Sequence, residues 1–317
     1  MERKKLIVVG SSNTDMVIRV GHIPVPGETI IGQDFMTNQG GKGANQAVAA
    51  AAMGDDVVFI ARLGDDTFGR QSKEILAARG IDTRFVHLTP GVPTGCAMIA
   101  VDDKGENSII VASGANALLS RADIDEAAAM IRHEAALLLM QLESPLDTLI
   151  YAADMAHQAG VKVVLNPAPF PQRPLPDELL KNVDLIIPNE TEAAHMTHLP
   201  VETDDEMLRA MTAIHSQGVA QVIITAGAAG SYALADGTSY HQSALKVTPV
   251  DTTAAGDTYC GTLCVALRDG CSLPQAMQQA SVAASLSTTR MGAWASIPTR
   301  EEVNEACEAG EMPALQE

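Results

Sequence analysis

No long hydrophobic run stands near the start of the chain. Arg3, Lys4 and Lys5 precede an apolar run of only Leu6 to Val9, too short for a membrane span or a signal-peptide core, so a first β-strand is expected there. Cysteine is also sparse. Cys96, Cys260, Cys264, Cys271 and Cys307 are odd in number and scattered, without a Cys-x-x-Cys pair, which argues against a disulfide framework or a zinc ribbon and for the reducing cytoplasm. Basic residues are few: 21 Lys+Arg against 39 Asp+Glu give a net charge of −18, which disfavours broad contact with nucleic acid or an anionic membrane. A small anionic ligand stays open, because backbone dipoles and a bound cation can outweigh global charge at one site. There is no internal repeat, low-complexity segment or long linker, so residues 1–317 are expected to form one domain with an inserted lid.

What is present is α/β grammar. Leu6 to Gly10 is a continuous apolar run ending in glycine, the pattern of a strand buried on both faces of a parallel sheet. Polar residues Ser11 to Asp15 follow at its carboxyl end, where open α/β sheets bind ligands, although Asn and Asp are also common turn formers. Met16–Val20 and Glu28–Ile31, separated by Pro24, Pro26 and Gly27, predict two short strands. A hairpin pattern between Thr94 and Val111 predicts two more. Together, about 16–36 and 95–112 should make a small antiparallel flap outside the main sheet. From Arg121 onward helices and strands alternate: a helix over 124–133, a strand over 136–143, a helix over 146–159, then strands at 161–165, 185–187 and 222–225, and a helix over 275–288. The fold class is therefore α/β, with a mostly parallel sheet, helices on both faces and a small β-sheet lid.

Two stretches carry chemistry. Asn38 to Gln46 places Gly40, Gly41 and Gly43 around Lys42, then enters an Ala-rich helix stopped by Gly54. It is no Walker A loop, because Met36 and Gly43 occupy positions that motif needs for Gly and Ser or Thr. It is no dinucleotide fingerprint either, because Gln46 replaces the third glycine. A plain glycine turn explains Gly40 and Gly41 but not Lys42 and Asn45. The second stretch, Asp251-Thr252-Thr253-Ala254-Ala255-Gly256-Asp257, precedes a helix with small residues whose N–H groups can approach an anion. Asp257 is there either a general base or a helix cap. Glu143 ends a buried strand and is either at the ligand edge or, beside Ser144-Pro145, a helix cap or solvent-exposed. Asn189 and Glu192 have capping-box spacing, with hydrated Mg²⁺ as the functional alternative. His195 and His198 fit two solvated histidines better than a metal pair.

These stretches resemble the two signatures of the ribokinase-like (PfkB) carbohydrate kinases, and the similarity runs over essentially the whole chain. Gly40 to Ala47, with Gly54 and Gly64, resembles the first; Asp251 to Asp257 resembles the second, with Thr262 where Ala or Gly is usual. The resemblance implies a ribokinase-like doubly wound fold and an ATP-dependent phosphotransferase acting on the primary hydroxyl of a pentose, D-ribose first. It implies Asn13, Asp15, Gly41, Lys42, Asn45 and Glu143 on the sugar, Asp257 as base, and the N–H groups of Ala254, Ala255 and Gly256 as the anion hole. Asn189, Thr225, Gly227, Gly230 and Gly256 match nucleotide positions, and Asn189 with Glu192 the Mg²⁺ motif. Asp251, Thr253, Ser287, Arg290, Gly292 and Ser296 match a potassium loop, largely through carbonyls. A homodimer through the lid is implied as well. Ser281 stands where a His often meets the adenine, and Ala226, Ala228 and Ala229 make the nucleotide loop small. The alternatives are a kinase of this family for deoxyribose, a ketohexose or a nucleoside, or a non-catalytic sugar-binding regulator.

Overall fold

The computed structural model describes residues 4–54, 56–171 and 173–309. In chain order its strands are β1 (Lys5–Val9), β2 (Asn13–Arg19), β3 (Phe35–Gly40), β4 (Val57–Gly64), β5 (Val86–Thr89), β6 (Gly95–Val101), β7 (Asn107–Ala112), β8 (Ala135–Met140), β9 (Lys162–Leu165), β10 (Leu185–Ile186), β11 (Gln221–Thr225), β12 (Ser231–Ala235) and β13 (Thr238–Gln242).

Alternation within β1 explains the layers. Leu6 and Val8 join a core with the helices Lys42–Ala52, Ala255–Arg268 and Leu273–Ser287. Ile7 and Val9 point the other way, into a core with the helices Leu146–Gln158 and Asp204–His215. All four side chains are fully buried, as a strand covered on both faces requires. The nine-stranded sheet runs β13-β12-β11-β10-β9-β8-β1-β4-β5, with β12 alone running against the other strands. Strand order reverses beside β1, so the carboxyl ends of β1 and β8 flank the crevice where such sheets take ligands. Among the described residues no helix is long and apolar enough to cross a membrane.

The small sheet, β3-β2-β6-β7, departs from the sequence expectation in two ways. First, β2 and β6 pair in parallel. Both leave the carboxyl edge of the main sheet in the same direction, while β3 and β7 bring the chain back, so only the β2–β3 and β6–β7 pairs are antiparallel. Second, Glu28–Ile31 is not a strand. Glu28 closes a turn, its N–H donating to the Val25 carbonyl at 3.0 Å and its carboxylate accepting from Val25 N–H at 3.1 Å, and the returning strand is Phe35–Gly40. The expected helix over 124–133 is two, Arg121–Glu126 and Ala128–His133. Edge strands β5 and β13 were not expected; edge pairing depends on neighbours that local pattern does not report.

Candidate active site

Gly41 opens the site. It has φ +89° and precedes the helix Lys42–Ala52; a Cβ there would lie 2.7 Å from the Asn13 nitrogen and the Ser12 Cα, so only glycine fits. The helix start is capped from across the crevice: Glu143 accepts from the Lys42 N–H at 3.0 Å and from the Ser11 hydroxyl. Glu143 therefore caps a helix, though not the one beginning beside Ser144, and in doing so ties the carboxyl ends of β1 and β8 together.

Asp257 is not an N-cap. The cap position of the helix Ala255–Arg268 is Ala254, left-handed at φ +60°, a conformation that costs a non-glycine residue about 1 kcal/mol or more and concentrates at functional sites. Asp257 lies three residues further on, only 7% exposed, with Oδ2 accepting from Asn45 Nδ2 at 2.8 Å and Oδ1 from Gln46 Nε2 at 3.0 Å. Gln46 Nε2 also donates to Asn166 Oδ1 at 3.0 Å, and Gln46 Oε1 accepts from Gln141 Nε2 at 2.6 Å. The carboxylate is thus aimed by side chains rather than spent on helix N–H groups. The Ala255 N–H donates to the Thr252 carbonyl at a long 3.2 Å, and a Cβ built on Gly256 would meet no atom within 4 Å, so space lies in front of this helix start.

Charge gathers around Asp257. Burial disfavours the Lys42 ammonium, but Asp257, Glu143 and Glu192 outweigh it and hold its pKa above the ordinary lysine value. Burial, aided by repulsion from Glu143 and Asp257, pushes Asp15 up to about 6. Because this folded-state pKa is raised above 3.8, the stability linked to Asp15 is full below about pH 4 and lost as pH rises to about 6. Asp15→Asn should therefore be the more stable protein at pH 7, by on the order of 1–3 kcal/mol in urea denaturation, with the gap closing near pH 4. Equal stability at pH 7 would contradict this.

Asn13 is buried beside Asp15, and its Oδ1 accepts from Asn116 Nδ2 at 2.7 Å. Asn13, Asn116 and Glu143 line one cavity of about 350 Å³ with Val111 of β7. Asn116, Gln141 and Asn166 were not singled out from sequence, and Gln46 was read only as part of the first glycine-rich stretch. A signal existed for Gln141, a polar residue interrupting the apolar run 135–142 immediately after β8; Asn116 had none.

Of the expected nucleotide residues, Asn189, Thr225, Gly227 and Gly230 collect along the carboxyl ends of β10 and β11, and Gly256 lies in the first turn of the helix Ala255–Arg268. Asn189 and Thr225 form an isolated parallel bridge, and Gly227 and Gly230 take φ +49° and +99° around a single turn. Asn189 and Glu192 form a reciprocal capping box at 2.8 and 2.9 Å for the helix Glu190–Thr197. Burial nevertheless raises Glu192, outweighing the Asn189 N–H and the Lys42 ammonium that favour its charged form, with Asp257 adding to the rise. Ser281 is buried with its hydroxyl unpartnered among the described residues. His198 is the left-handed C-cap of the helix bearing His195.

The remaining expected residues form a separate cluster behind Ala254. Asp251 accepts from Thr253 N–H at 2.9 Å and Gly292 N–H at 2.8 Å; these bonds outweigh burial and hold its carboxyl below the usual range. The Ser287 and Ser296 hydroxyls donate to carbonyls of their own helices, and the Arg290 side chain pairs with Glu302.

Comparison with known proteins shows the family and the fold. The sequence model of the pfkB family carbohydrate kinase matches residues 3–300. A ribokinase from Haemophilus influenzae is 44% identical over 306 residues, covering 96% of this chain and 99% of its own. A deoxyribokinase from Salmonella typhi is 35% identical over 300 residues, covering 95% and 97%. The structure of Arabidopsis thaliana ribokinase complexed with ribose and ATP superposes with a TM-score of 0.88 at 35% identity, covering 95% of this chain and 98% of that one. The chain belongs to the pfkB family of carbohydrate kinases, phosphotransferases that act on a sugar hydroxyl.

Proposed function

We propose that this protein transfers the γ-phosphoryl group of ATP to the primary (5-) hydroxyl of D-ribose, with Asp257 as general base. The observation that carries the reading is Asp257 itself: buried at a helix start, oriented by two amides, with open space beside Gly256 and a polyol-binding set next to it. Asn13, Asp15, Gly41, Lys42, Asn45 and Glu143 supply donors and acceptors for ring hydroxyls. Phosphoryl transfer needs alignment, a base and charge neutralisation more than covalent chemistry. The N–H groups of Ala254, Ala255 and Gly256 receive charge developing on the transferred group, the Ala255 N–H turning from Thr252 to do so. Asn189, Thr225, Gly227, Gly230 and Gly256 hold the nucleotide.

Mg²⁺, which neutralises phosphate charge when bound, would be held by Asn189 and Glu192 through water, since their facing atoms are committed to the capping box. K⁺ would be held by carbonyls of Asp251, Thr253, Ser287, Arg290, Gly292 and Ser296, beside the ionised Asp251 carboxylate. ATP dependence suits the cytoplasm. The four-stranded sheet acts as a lid over the sugar, and residues 1–317 work as one unit.

A substrate panel tests the proposal. With ATP, Mg²⁺ and K⁺, ribose should be phosphorylated faster than 2-deoxyribose, fructose or adenosine, because a site that bonds a hydroxyl rejects an analogue lacking it. Slower turnover of ribose than of any of these would overturn it.

The outer face of the lid supports a homodimer. Ile18, Phe35, Met98 and Ile110 share one face by register and are 38, 65, 60 and 70% exposed, an apolar patch suited to a second copy of itself. Light scattering should return the mass of two chains; a monomer at micromolar concentration would contradict this.

A further inference from the structure

The only tryptophan in the chain, Trp294, is 5% exposed and lies in the short helix Ala293–Ser296, just after Gly292. Its Nε1 donates to Asn45 Oδ1 at 2.8 Å, and Asn45 Nδ2 donates to Asp257 Oδ2 at 2.8 Å. The two ends of an amide are nearly the same shape, so its polarity is set by its partners. An indole N–H is a donor only, and a carboxylate is an acceptor only. Reversing Asn45 would bring its NH₂ against the indole N–H and its oxygen against the Asp257 carboxylate. Trp294 therefore defines one direction of the Asn45 side chain. The other amide on Asp257 is anchored at the opposite end: Asn166 Nδ2 donates to the Ile187 carbonyl at 2.8 Å, leaving Asn166 Oδ1 to accept from Gln46. Each oxygen of the base is thus served by an amide whose polarity traces to a group that cannot itself reverse, directly to the Trp294 indole for Asn45 and through Asn166 to the Ile187 carbonyl for Gln46.

We infer that Trp294 is a positioning residue for phosphoryl transfer, setting the polarity of Asn45 and, through it, the orientation of Asp257. The inference rests on the sugar-kinase reading above, in which Asn45 also meets the sugar. With the indole replaced by a ring lacking a donor, Asn45 can occupy the reversed state, in which it neither holds Asp257 nor offers its oxygen correctly to a hydroxyl.

Two measurements test this. In the wild-type protein, D-ribose is added without nucleotide while calorimetric heat and tryptophan emission are followed together. Emission, which comes from Trp294 alone, should change saturably with the same midpoint as the heat; saturating heat with unchanged emission would overturn the inference. Trp294→Phe keeps the aromatic ring but removes the N–H, and should lower kcat/KM for ribose by about tenfold, since a buried partner is left unsatisfied. In an Asn45→Ala background the same change should cost within about twofold, because the amide it acts on is gone. Equal losses in the two backgrounds, or no loss in the first, would show a merely structural role. Absence of heat on adding ribose would count instead against the sugar assigned above, and the panel sugar that is phosphorylated then serves as ligand in both measurements.

Discussion

Asp257→Asn is expected to lower kcat by about 10²- to 10⁴-fold, the usual cost of removing a general base. Asparagine keeps the shape but cannot take the hydroxyl proton. It also places an NH₂ against Asn45 or Gln46, both of which now donate to the carboxylate, so one of these amides must reverse against its own anchor, Trp294 or Ile187. A second consequence distinguishes a lost charge from a misfolded site. Asp257 contributes to the raised Asp15 pKa, so in Asp257→Asn the Asp15 carboxyl should titrate lower than in the wild type, read by NMR of the labelled carboxyl carbon. Turnover near the wild-type rate would remove Asp257 from its role as base.

The second large effect concerns packing. Gly261 lies where the helix Ala255–Arg268 crosses the helix Lys42–Ala52, and a Cβ there would come 2.6 Å from the Gln46 carbonyl oxygen, 2.7 Å from Ala49 Cβ and 2.9 Å from the Ala50 nitrogen. These obstacles are mostly backbone, which cannot swing aside as a flexible side chain can. Gly261→Val should therefore push the helices apart and destabilise the protein by about 3 kcal/mol, at the upper end of ordinary overpacking costs. Activity should fall as well, because the Asn45 and Gln46 bonds to Asp257, at 2.8 and 3.0 Å, span this interface. Urea denaturation and ribose turnover check the two parts; an unchanged urea midpoint would mean that the helices are not in backbone contact at Gly261.

The layers were legible from sequence because burial on both faces writes itself as uninterrupted apolar runs, as in Leu6–Val9, Leu137–Met140 and Val222–Ile224. The lid was legible only in outline. Glu28–Ile31 has the composition of a strand, yet the pairing with β2 is taken by Phe35–Gly40, since strand pairing is decided by which segment the returning chain presents. Asp257 illustrates the same limit at the site. A carboxylate among small residues reads as either cap or base, and the left-handed turn at Ala254 is what carries it past the cap position to face Asn45 and Gln46.

By itself the sequence determined the α/β class, the two small-residue stretches and the chemical character of the site, because these follow from local composition and spacing. Tertiary structure alone decided that Glu143 caps a helix 101 residues away, that Asn116, Gln141 and Asn166 orient the site, and that the lone tryptophan touches Asn45. The physical reason is directional. Hydrogen-bond polarity and backbone approach at 2.6–3.0 Å depend on how distant segments are brought together, and no local spacing encodes that.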